Sequence, residues 1–188
     1  MKKNILDVGW TTVEKEEYPV RVKIILTPVF RKSLMVDKRK EALKEALLIL
    51  KKKNFWICPD INYRAFRDND VCQEKEIVVL RPVNGSSSMS SISISMIFAS
   101  MGAMNYDPGN FWDLVSLASL AASSDLCLQF PIVALDFFEK KGDFFVPYLD
   151  GQENLQTGQV RKIINLYHPI DDTIDSDFGF IGARVLVL

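Results

Sequence analysis

Apolar and polar positions follow two rhythms along the chain. From Tyr18 to Leu26 they alternate, apolar with basic, before Ile24-Ile25-Leu26 closes the stretch as an apolar run. Side chains on a strand point to opposite faces at each step, so this segment predicts a strand, with Pro28 near its end. Ile5 to Thr12 predicts a shorter one. From Asp37 to Lys53 the rhythm changes. Leu43, Ala46, Leu47 and Leu50 recur at the spacing of one helical stripe. Asp37 is placed for the first turn, Lys51, Lys52 and Lys53 suit the C-terminal end of the dipole, and Asn54 is a stop.

Glu76 to Val83 predicts a strand carried by Ile77-Val78-Val79-Leu80. Asp107 to Asn110 is a loop. Phe111 to Ser123 predicts a helix, with Asn110 as N-cap and Leu114, Leu117, Leu120 and Ala121 on one face. Leu126 to Phe138 is apolar with Pro131 inside it, which predicts a bent or edge strand. Phe144 to Leu149, Val160 to Tyr167 and Phe178 to Leu188 predict further strands. This order is not a regular strand–helix alternation. It predicts an α+β fold over 1–188, a single domain with a largely antiparallel or mixed sheet packed with two or three helices.

The stretch from Pro82 to Tyr106 carries no charged residue. Asn84-Gly85 is a strong hairpin signal, because both residues tolerate positive φ. Serine then alternates with apolar residues from Ser91 to Met96, which favours a second strand running to about Phe98. A strand–loop–helix reading competes with it. There, Gly85, Ser86, Ser87 and Ser88 offer amides and hydroxyls to an anion, without the lysine of a Walker A loop. A membrane-inserting β-hairpin is a third reading.

Charge changes the picture modestly. Residues 1–81 carry a net +6 and residues 82–188 a net −7. The basic stretch Arg31 to Lys53 is followed by aromatics, but Glu41 and Glu45 weaken any phosphate field, so nucleic acid is not the expected partner. Three widely spaced cysteines, Cys58, Cys72 and Cys127, suggest no disulfide framework and fit a reducing cytoplasm. Asp7 and Gly9 interrupt any leader-like run, and no window is apolar enough for a transmembrane helix.

Three clusters could carry chemistry. The loop His168 to Asp177 holds four carboxylates, of which Asp171, Asp172 and Asp175 are candidate ligands for a hard divalent cation, although EF-hand spacing is absent. His168 is the sole histidine, and no G-x-S-x-G elbow accompanies it, so a histidine-dependent hydrolase is not expected. Phe137-Phe138 and Phe144-Phe145 flank Glu139 to Asp143 and predict a hairpin with four aromatics near its tip. Strict alternation lets only one of each adjacent pair face a one-sided core, so the others become candidates for an interface. The expected function is a non-enzymatic cytoplasmic domain that binds another protein and uses no cofactor. The alternative is a nucleotide- or phosphate-binding protein or enzyme built on Gly85 to Ser91.

Overall fold

A computed structural model describes residues 9–10, 20–26, 36–62, 75–81, 91–123, 131–153, 158 and 160–185. In chain order the elements are β1 (Gly9–Trp10), β2 (Val20–Leu26), α1 (Val36–Lys52), β3 (Trp56–Ile57), β4 (Lys75–Arg81), β5 (Ser91–Ser93) and α2 (Ile94–Ala103). Then come β6 (Asp107–Pro108), α3 (Phe111–Ser123), β7 (Ile132–Val133), β8 (Phe138–Lys140), β9 (Asp143–Glu153), β10 (Val160–Tyr167), β11 (Thr173–Asp175) and β12 (Gly179–Val185).

The main sheet runs β1-β2-β4-β12-β7-β9-β10-β3, with β6 added beside β12 and β8 beside β9. Among the described residues its pairings are antiparallel except β12 with β7 and β10 with β3. A separate small sheet pairs β5 with β11. The fold is α+β, as the sequence predicts.

Alternate residues of the strands enter two different cores. Ile77, Val79, Ile132, Leu149, Ile164 and Ile181 face one side. Helices α1 and α3 cover it, through Leu43, Leu47 and Leu50 of the first and Phe111, Leu114 and Leu117 of the second. Val78, Leu80, Val133, Val146 and Phe180 face the other side. There, α2 supplies Ile94, Ile97 and Met101, and the small sheet supplies Ile92 and Ile174. A sheet covered on both faces needs apolar residues at consecutive positions, which is why β4 reads Ile-Val-Val-Leu without alternation. Each leucine that α1 buries contributes on the order of 2 kcal/mol.

The sequence expectation fails in the serine-rich stretch. Only Ser91–Ser93 is strand, and the chain is helical from Ile94 to Ala103. β4 already has β2 on one edge and β12 on the other, so it has no free edge for a hairpin partner. β5 pairs with β11 instead. Past Ile94 the buried positions are Ile94, Ile97 and Met101, a helical spacing, while Met96 is exposed. The Asn84-Gly85 turn lies outside the described residues. The membrane-hairpin reading loses its second strand to α2. No helix among the described residues is long and apolar enough to cross a membrane.

Most other elements follow the expectation, but Asp107–Pro108, read as loop, pairs with β12 as β6, β9 runs on to Glu153, and Thr173–Asp175 of the acidic loop is β11. Asn110 caps α3: its side-chain oxygen accepts the Asp113 N–H at 3.0 Å, and the Asp113 carboxylate accepts the Asn110 N–H at 2.9 Å. This is a reciprocal capping arrangement with Asp in the third position. The segment after Pro131 is bent, as its proline suggests. Residues 134–137 lie opposite only 146–147 of β9, between the pairs Val133↔Tyr148 and Phe138↔Phe145. That bulge places Asp136 in the interior, where its carboxylate accepts the buried Phe111 N–H at 3.0 Å.

Candidate functional site

The β8–β9 hairpin turns at Lys141 and Gly142, both at positive φ, as a tight hairpin connection requires. Its register sets Phe138 against Phe145 and Glu139 against Phe144. Phe138 is buried and Phe145 is half-buried against the α1–α3 core. Phe137 and Phe144 remain 40% and 57% exposed. The four aromatics therefore divide between core and solvent, one of each adjacent pair on each side. An ion pair of 2.7 Å between the Lys140 ammonium and Asp60 ties the hairpin tip to the loop after β3.

Beyond β10 the chain makes a second tight turn at Asp171 and Asp172, with φ of +49° and +56°. Asp tolerates this region better than most residues. Thr173 closes the turn twice, its N–H and its hydroxyl both donating to the Ile170 carbonyl, at 2.9 and 2.7 Å. The Asp172 carbonyl accepts the Ile94 N–H at 2.9 Å. This loop is thereby fixed to the first residue of α2. His168 lies against the ring of Phe145, with centroids 5.1 Å apart.

Between the two turns lies a hollow of about 460 Å³. Phe137, Phe144 and Asp143 line it from the hairpin, and His168, Asp171 and Asp172 from the opposite loop. Ile94 and Pro169 add apolar surface. The hollow is open to solvent, and Phe137, Asp143, Phe144, His168, Asp171 and Asp172 are all exposed. Two of the sequence-derived clusters, the aromatic and the acidic, thus form the walls of one concavity. No serine, threonine, cysteine, lysine or arginine is among the described residues that line it. The described lining is aromatic, acidic and apolar.

The remaining candidates fall elsewhere. Asp175 is on β11, opposite Ser91, and is not part of the lining. Among the described residues no three His, Cys, Asp or Glu side chains come together as a cation site, so Asp171, Asp172 and Asp175 are not gathered around a common point. Gly85, Ser86, Ser87 and Ser88 lie outside the described residues, as do Cys72 and Cys127. Cys58 is a free thiol, half-buried after β3. Burial pushes the Tyr148 hydroxyl above its ordinary range, against the opposing effect of the amide of Asn165, which donates to it at 3.2 Å. Burial also raises Tyr167, helped by the charge of Asp175. Both are neutral packing groups around Phe178 at neutral pH.

Sequence reasoning missed Asp136, Ile94 and the meeting of His168 with the aromatic hairpin. A lone acid in the apolar run Ile132 to Phe138 was a usable sign of a buried, partnered carboxylate. Nothing local announces that the two turns face each other. No protein-family model, curated protein or solved structure matches this chain.

Proposed function

We propose that the chain is a non-enzymatic binding module that engages another protein through the hollow beside the hairpin tip. The observation that carries this reading is the division of the aromatic pairs. Phe138 and Phe145 serve the core, while Phe137 and Phe144 are exposed in the walls of one concavity. Aromatic side chains grouped in a hollow with a polar rim are the composition of interface anchors, because they bury large area at little cost in side-chain freedom. The acidic balance of residues 82–188 favours a partner with a basic surface. The cysteine pattern supports the reducing cytoplasm as its compartment.

The test is affinity capture from the source cell with the wild type and with a Phe137→Ala/Phe144→Ala variant. Both positions are exposed, so the variant should fold with a stability within about 1 kcal/mol of wild type. An anchor truncated to alanine typically costs about 2 kcal/mol, a fall in affinity of roughly 30-fold. A partner held by the wild type should therefore be lost by the variant. Identical capture by the two proteins, or no partner for either, counts against the reading.

A further inference from the structure

We infer that the segment entering this hollow presents an arginine side chain, an inference that rests on the binding reading above. The two walls supply the two halves of what a guanidinium requires. Phe137 and Phe144 line one wall, and the face of an aromatic ring attracts a planar cation through its quadrupole. Asp143, Asp171 and Asp172 offer carboxylates, which match the guanidinium fork. A neutral aromatic or aliphatic side chain would use the rings and leave the three aspartates without a counter-charge. A lysine would satisfy one carboxylate but is a strongly hydrated point charge that stacks poorly. Arginine uses both walls at once.

The geometry also holds the acidic wall in place. Asp171 and Asp172 form a turn closed by Thr173 and bonded through the Asp172 carbonyl to the start of α2. Their backbones are positioned before any ligand arrives, which reduces the ordering cost of binding. No lysine or arginine is among the described residues of the lining, where the imidazole of His168 is the one basic side chain.

The test titrates the full chain with a short blocked Gly/Ser peptide carrying one arginine, followed by amide chemical shifts. The same peptide with citrulline, a neutral near-isostere, and with lysine are run beside it. The control variant is Asp171→Asn/Asp172→Asn. Asparagine adopts positive φ as readily as aspartate, so the turn is kept and only charge is removed. Arginine should shift the amides of 137–144 and 168–172. Citrulline should bind roughly 5-fold more weakly or worse, and the double variant should lose a similar factor toward arginine, as expected for partly exposed charge pairs. Citrulline or lysine binding as tightly as arginine overturns the inference. So does a double variant that keeps its affinity, or an arginine titration that leaves the hollow unmoved. A cellular partner lost on Phe137→Ala/Phe144→Ala but kept by Asp171→Asn/Asp172→Asn would remove arginine while leaving the binding module intact.

Discussion

Helices α3 and α2 both begin at a polar cap, but they are anchored by different means. The start of α3 is held by three sets of contacts, two of them to residues far away in sequence. Gly109 donates its N–H to the Ile181 carbonyl of β12, Asn110 and Asp113 cap each other, and Asp136 accepts the Phe111 N–H. Asp113 and Asp136 are both buried. Two carboxylates at one N-terminus also sit favourably with the helix dipole. The start of α2 has no acidic residue in its first turn. Ser93 accepts the Met96 N–H at 3.3 Å in an exposed position, and the carbonyl of Asp172 accepts from Ile94. One helix is joined to the sheet and the other to the loop that walls the hollow. At α3 the side-chain contacts are buried or part-buried and two of them accept on carboxylates, whereas at α2 the acceptors are an exposed hydroxyl and a backbone carbonyl. The expected consequence is that the start of α2 opens locally before the start of α3.

The largest expected effect tests the α3 anchorage. A Cβ at Gly109 would overlap the Cγ2 of Ile181 and stand 2.7 Å from its Cβ and 3.0 Å from its carbonyl oxygen. These are a side chain and a backbone fixed in the central sheet. Gly109→Ala should therefore destabilise by about 3 kcal/mol, the upper range for overpacking a core. Denaturant unfolding measures it. A loss under about 1 kcal/mol would show that β12 and the entry to α3 yield easily, and the contrast between the two helices would weaken.

Next comes Asp136→Ala. Removing the carboxylate leaves the Phe111 N–H buried without its acceptor, at a cost of about 2 kcal/mol. Asp136→Asn keeps an oxygen in reach and should recover part of that loss. If alanine and asparagine cost the same, the charge rather than the hydrogen bond is what matters. If neither costs anything measurable, Asp136 is not an anchor.

These two positions also show what the sequence can disclose. Helix α3 was legible because its stripe and its cap are local: Asn110, Leu114 and Leu117 all lie within a few turns of each other. Helix α1 was legible for the same reason. The segment after Ser91 was not. Ile92, Ile94 and Met96 fit a strand, and Ile94, Ile97 and Met101 fit a helix equally well. What decides between them is that both edges of β4 are occupied, by strands far away in sequence. The hollow is hidden by the same kind of distance. Phe137 and Phe144 carry a local signal, and so do Asp171 and Asp172. Their meeting depends on the pairing of β9 with β10 and of β5 with β11. The close approach at Gly109 likewise depends on Ile181, which no spacing rule connects to it.

The smallest effect sharpens the comparison from the α2 side. Ser93→Ala removes a cap whose hydrogen bond is long, exposed and shared with the Ser95 hydroxyl at 3.1 Å. The expected loss is about 0.5 kcal/mol, the low end for an N-cap. Ser93→Asp should reverse it, since aspartate caps as well as serine and adds an acid where the first turn has none. Amide exchange gives the decisive reading. In Ser93→Ala the amides of 95–97 should exchange faster while those of 111–114 keep their rates, because α3 is held by contacts the substitution does not touch. Ile94 should change least within its turn, since its N–H remains bonded to Asp172. If instead the loss reached the roughly 2 kcal/mol expected at Asp136, or if protection fell in both helices together, the two starts would belong to one cooperative unit and the division between framework and site would not hold.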